Sequence, residues 1–235
     1  MPEVGADTRA PAIALSWHKE IVRRFCVRTG FKFVALVGFM VVFFAGYFAT
    51  LNRPIFAVTE MPVTALDRTI AFQPVALVAY LTLWVYVALP ALLIEKDAEL
   101  AKFGAVAAIL GAVGLAVFLI WPTVVPRPSI DWAAHPGFGH LKQIDRSGNA
   151  CPSLHVAYAV FCCFELDRIL AEVRSPLMVR FFSFLWCAAI VYSTLATKQH
   201  VAVDVYAGGL LGLAAAAGSA KMTRATPATA NAVAT

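Results

Sequence analysis

Two short stretches carry residue types that could do chemistry. In TKQHVAVDVYAG, residues 197–208, His200 and Asp204 stand four positions apart at the start of an apolar run; in CPSLH, residues 151–155, Ser153 and His155 follow a proline. Side chains at i and i+4 share a helix face, so a helix over this run sets the imidazole beside the carboxylate. An ionisable group inside a membrane segment costs about 2.5 to 3.5 kcal/mol on insertion scales and faces the bundle interior, a cavity or a partner. A carboxylate that holds one tautomer of His200 leaves its other nitrogen free to attack phosphorus, while a protonated His155 can give its proton to a departing alkoxide. That chemistry needs no metal. It does need donors for the phosphate oxygens. Pro152 suits the first turn of a helix, whose free N–H groups attract phosphate. Ser153 adds a hydroxyl, Arg127 a bidentate fork and Lys198 a point charge.

The elements that must position these residues are read from hydropathy. The chain has 235 residues, 60% of them hydrophobic and only 14% charged, with a mean hydropathy of +0.75; this excludes an ordinary soluble domain. About 20 apolar residues cross the hydrocarbon core as a helix, and six stretches qualify: 33–50, 71–94, 103–122, 152–170, 177–197 and 200–220. The expected fold is therefore all-α, a polytopic six-transmembrane-helix bundle forming one catalytic domain over 33–220, with an outer loop at 123–151. Residues 13–32 alternate apolar and basic faces as an interfacial amphipathic helix does. Residues 1–12 and the small polar tail 221–235 are expected to be disordered. Lys and Arg accumulate on the cytoplasmic side. Placing both termini there puts the basic groups of 19–32, 96–102, 168–180 and 221–224 inside and leaves Arg53, Arg68, Arg127, Lys142, Arg146 and Lys198 outside.

With that topology the ends of four spans meet at one extracytoplasmic surface, which collects Arg127, Ser153, His155, Lys198, His200 and Asp204. The expected location is the plasma (inner) membrane. The net charge of +5 suits anionic lipid headgroups, and no nucleic-acid motif is present. Cys162, Cys163 and Cys187 fall inside spans, Cys26 is cytoplasmic and Cys151 stands alone outside, so neither a disulfide nor a structural zinc site is expected. Two other classes use the same residues. A proton-coupled transporter of an anion would employ His155, His200 and Asp204 as a relay, and a metal-dependent membrane hydrolase would employ them as ligands. His135 and His140, in the long loop, are read as solvated.

The motifs resemble the type 2 phosphatidic acid phosphatase superfamily, whose three signatures run KxxxxxxRP, PSGH and SRxxxxxHxxxD. Here they stand as Arg127-Pro128, as Pro152-Ser153-Leu154-His155, and as Ser193 followed at the family spacing by His200 and Asp204. The wording of CPSLH and QHVAVDVYAG is most similar to the inositol phosphorylceramide synthase-like branch. The resemblance implies a phosphohistidine at His200 oriented by Asp204, His155 as general acid, Arg127 and Ser153 on phosphate, no cofactor, and a lipid phosphate or phospholipid substrate with water or an alcohol as acceptor. Three positions depart from the signatures: the first-motif Lys is Ile120, the second-motif Gly is Leu154 and the third-motif Arg is Thr194. Lys198 and Arg146 are the candidate replacement cations.

Overall fold

The computed structural model describes residues 16–135, 138 and 148–224; the expected disordered N-terminus, most of the C-terminal tail, and His140, Lys142 and Arg146 lie outside the described residues. The chain is mostly helical. Among the described residues nine α-helices run in order: α1 Trp17–Cys26, α2 Thr29–Asn52, α3 Ala65–Thr69, α4 Ala76–Leu81, α5 Leu83–Leu93, α6 Asp97–Ile120, α7 Leu154–Glu172, α8 Leu177–Ala196 and α9 Ala202–Arg224. The described exception to an all-α reading is a two-residue parallel ladder, β1 Thr59–Glu60 with β2 Thr123–Val124. It ties the segment after α2 to the segment after α6. One turn of 3₁₀ helix follows at Trp132–Ala134.

Among the described residues, five helical stretches are long and apolar enough to cross a membrane: α2, α4 and α5 together (Ala76–Leu93), α6, α8 and Ala202–Met222 of α9. The sixth expected span corresponds to α7, which stands outside that set because Glu165, Asp167 and Arg168 crowd one half of it. Those charges are satisfied by neighbouring helices. Glu165 is buried and accepts a 2.5 Å hydrogen bond from Ser219 of α9, Arg168 pairs with Glu165 and with Glu99 of α6, and Asp167 receives Arg180 of α8 at 2.6 Å. A helix that carries these charges can thus sit at the centre of the bundle, packed against α5, α6, α8 and α9.

Around α7 the core is built from Tyr86, Leu110, Phe118, Phe161 and Ile190, all essentially inaccessible. Phe103 and Phe161 stack at 5.3 Å. Close approach of α9 to α7 depends on Gly208 and Gly212, the small-xxx-small spacing that lets helix backbones meet. A Cβ at Gly212 would lie 2.5 Å from the Ala157 carbonyl oxygen, and one at Gly208 would collide with that of Ser153.

Helix α1 falls within the segment 13–32 expected to form an interfacial helix. The arginines in it and just after it are paired within the protein, while Lys19 is exposed. Arg23 pairs with Glu20 and Glu95, Arg24 with Glu20 and Glu172, and Arg28 with Asp97. The guanidinium groups of Arg23 and Arg24 hold the Glu20 carboxyl down at about 2, well below its ordinary range. Val22 and Phe25 remain exposed on the same helix.

Candidate active site

The helix-start geometry differs from the sequence expectation at both motifs. Helix α7 begins at Leu154 with Ser153 as N-cap, its hydroxyl oxygen accepting the Val156 N–H at 3.3 Å. Pro152 therefore precedes the helix, behind a cis Cys151–Pro152 bond. Helix α9 begins at Ala202, so His200 lies in the turn before it and does not share a helix face with Asp204. The pair meets across the helix N-terminus. Asp204 occupies the third helical position and accepts the Val201 N–H at 3.1 Å, half of a capping box, where the helix dipole favours a carboxylate.

The turn that carries His200 is a Schellman closure of α8. Lys198 N–H bonds Leu195 O and Gln199 N–H bonds Thr194 O, with His200 N–H sharing the Thr194 carbonyl. The closing residue must take left-handed φ, the place usually given to glycine; here it is Lys198, at φ 56°. Its ammonium donates to the carbonyls of Asp67 and Ile70 at 3.0 and 2.5 Å. Asp67 completes the clamp. Within α3 it closes a capping box with Thr64, and its other oxygen accepts the Ala202 N–H at 2.7 Å. The loop between α2 and α4 thus grips both ends of the turn bearing His200.

The two histidines are brought together. His155 Nδ1 lies 3.3 Å from His200 Nε2, and His155 Nε2 lies 2.8 Å from the Tyr80 hydroxyl. His200 Nδ1 stands 3.5 Å from Asp204 Oδ2. One proton arrangement satisfies the first two contacts: Tyr80 O–H donates to His155 Nε2 and His155 Nδ1–H donates to His200 Nε2, which leaves the proton of His200 on Nδ1, 3.5 Å from Asp204 and not hydrogen-bonded to it. Asp204 is fully buried and His200 nearly so. His200 Nδ1 and Asp204 Oδ1 have no hydrogen-bond partner among the described residues. The Ser153 N–H donates to the Asp204 carbonyl at 3.0 Å, which locks the CPSLH strand onto the start of α9.

The remaining motif residues are placed as follows. Arg127 lies just beyond β2 with its side chain exposed. Ser153 is wholly buried and used as the helix cap. Leu154, which stands where the family signature has glycine, packs onto Gly114 of α6, its side chain filling the space that a Cβ there would need. Thr194, in place of the signature arginine, is buried and gives its carbonyl to the His200 turn. Cys151 is buried beside Asp204, and that burial, with the nearby negative charge, pushes its thiol up to about 11, so it is not a competing nucleophile. His135 packs edge-on against Phe72 at 5.1 Å, within an aromatic cluster with Phe138 and away from the histidine pair.

Sequence reasoning missed Tyr80 and Asp67. Tyr80 is 2% exposed, and a buried phenol needs a partner; a tyrosine four residues before Trp84 inside an apolar span was the available signal. Asp67 sits in a TALD stretch, a recognisable capping pattern, but its bond to Ala202 crosses most of the chain.

Comparison with known proteins bears on this geometry. The family model of the PAP2 superfamily matches residues 99–227. The chain belongs to the PAP2 superfamily. The match takes in both motif stretches and helices α7 to α9, and PAP2 proteins are generally phosphatases and phosphotransferases. No curated protein and no solved structure gave a match.

Proposed function

We propose that the chain is a membrane-embedded lipid-phosphate phosphatase or phosphotransferase that works through a phosphohistidine at His200. The observation that carries this reading is the row Tyr80, His155, His200 and Asp204 inside a PAP2 match. His200 Nε2 attacks phosphorus as the bond to the lipid oxygen breaks, and a protonated His155 gives its proton to that oxygen. Water or an alcohol then attacks the phosphohistidine, with His155 taking the proton back. At 3.3 Å the two ring nitrogens leave no room for a phosphoryl group between them, so the rings part when substrate enters. As His200 gains positive character, its Nδ1–H and the buried Asp204 carboxylate satisfy one another.

Phosphate is held in this reading by the first turn of α7 with Ser153 at its cap and by Arg127, whose exposed guanidinium offers a fork to the phosphate oxygens. Lys198 acts first on the turn that aims His200; contact with phosphate requires it to leave the two carbonyls. Helix α7 serves as the sixth span, its charges shielded by α6, α8 and α9, and residues 33–220 form one catalytic domain. The basic-residue asymmetry supports cytoplasmic termini and a site facing the extracytoplasmic side of the plasma membrane. The wording of the two motifs supports kinship with the inositol phosphorylceramide synthase-like branch, hence an alcohol acceptor. The test is a labelled panel of lipid phosphates and phospholipids, run with and without acceptor alcohols. Free phosphate or a new phospholipid, lost in His200→Ala, is the expected result; no turnover of any member by folded protein would overturn the reading.

A further inference from the structure

One cavity of about 370 Å³ is lined at one extreme by the histidine pair and at the other by Lys32, with the exposed Leu81 and Trp84 along its side. His155 and His200 line one end, with Tyr80 and Asn149, and Lys32 lines the other; between them the walls are Phe39, Phe43, Trp84 and Tyr158. The α2 face that lines it extends from Lys32 to Phe48, about 24 Å at a rise of about 1.5 Å per residue. That exceeds one leaflet, about half of the roughly 30 Å hydrocarbon core.

Its far end is polar. Lys32 is buried, and its ammonium donates to the carbonyls of Arg24 and Leu92 at 3.0 and 2.7 Å. A hydrocarbon chain gains nothing by passing a hydrated or hydrogen-bonded ammonium. Space along the way is open, since a Cβ added at Gly104, a lining residue, meets nothing within 4 Å. Phe44 of α2 and Trp84 of α5 touch at 5.6 Å between ring centroids along the same wall.

We infer that this cavity holds the hydrocarbon of the lipid phosphate, laid along α2 from the histidine pair to Lys32, and that its depth gauges chain length. The inference rests on the phosphotransfer reading for the identity of the headgroup. Continuity with the histidines argues for a ligand whose phosphate sits at that end and whose apolar part lies along the aromatic walls.

The test uses full-length protein in lipid nanodiscs and two independent readouts. In the first, hexadecyl phosphate with a diazirine on its terminal carbon is photolysed on the protein, and the labelled residues are mapped by mass spectrometry. Label at Lys32, Leu36, Leu100 or Phe103 is expected; label confined to lipid-facing residues such as Val37 and Val41 would overturn the inference. In the second, Gly104→Phe plugs the far half of the cavity. It should lower kcat/KM for hexadecyl phosphate at least tenfold while leaving octyl phosphate and p-nitrophenyl phosphate within twofold. Equal effects on all three, or none, would overturn it. The labelling does not depend on turnover. Far-end label on a protein that hydrolyses nothing would keep the chain site and remove the phosphotransfer reading.

Discussion

Replacing Gly208 by alanine tests how the two motifs are held in register. The added Cβ would stand 3.1 Å from the Ser153 carbonyl carbon, 3.2 Å from its Cβ, and nearer still to its oxygen. Carbon atoms in ordinary contact lie about 3.5 to 4.0 Å apart, and the obstructing atoms are backbone, so α9 and α7 must separate by on the order of 1 Å. The displacement acts on the elements that carry His200 with Asp204 and Ser153 with His155. A misplacement of about 1 Å costs up to about a hundredfold in rate. Gly208→Ala should therefore lower kcat/KM for p-nitrophenyl phosphate by ten- to a hundredfold while the protein still folds. Gly209→Ala, whose Cβ meets nothing within 4 Å, is the control and should retain wild-type activity. Both variants are compared by steady-state kinetics and thermal unfolding in the same detergent. Wild-type rates in a folded Gly208→Ala protein would refute the claim that this helix contact sets the site.

Three further outcomes follow from the same geometry. Tyr80→Phe removes the hydroxyl on His155 Nε2 and should shift the pH–rate profile and lower kcat by about ten- to a hundredfold; an unchanged profile would reduce Tyr80 to a packing residue. Lys198→Gly relieves the left-handed backbone but loses the tether to Asp67 and Ile70, whereas Lys198→Met keeps the strain and loses the tether. If the clamp matters, both lose activity and glycine retains the higher melting temperature; wild-type activity in both would dismiss the clamp. The Glu20 carboxyl, lowered from 4.5 to about 2 by Arg23 and Arg24 of the same helix, stabilises helix α1 fully above the unfolded value, and that stabilisation is lost as pH falls through the folded one. Amide protection of residues 17–26, corrected for intrinsic exchange, should fall as pH drops between those values, and fall less steeply in Glu20→Gln, where only the pairs of Arg23 with Glu95 and Arg24 with Glu172 remain to titrate.

The sequence was informative wherever the signal is local. Apolar runs mark the helices because a span needs about 20 such residues, and the His200 to Asp204 spacing marks the candidate site because the family signature it resembles is a short string. Its limits are equally local. Helix starts moved by two residues, so His200 and Pro152 fell outside helices that hydropathy alone extends through them. Lys198 reads as a free cation until the chain is folded, because its partners are carbonyls of Asp67 and Ile70, far away in sequence. Asp67 and Tyr80 were silent for the same reason. Helix α7 defeats a composition rule because Ser219, Glu99 and Arg180 answer its charges from three other helices.

The central claim is that His200 becomes covalently phosphorylated with His155 as its acid partner, and rapid-quench trapping of labelled phosphate on the protein tests it most directly. Wild-type protein should yield an acid-labile, base-stable phosphoprotein. His200→Ala should yield none with any substrate, and Asp204→Asn should fold yet label far more slowly. His155→Ala should label measurably from p-nitrophenyl phosphate, whose leaving group needs little protonation, and scarcely from a lipid phosphate. Label that persists in His200→Ala, or that the activated substrate restores in His200→Ala but not in His155→Ala, would contradict the account.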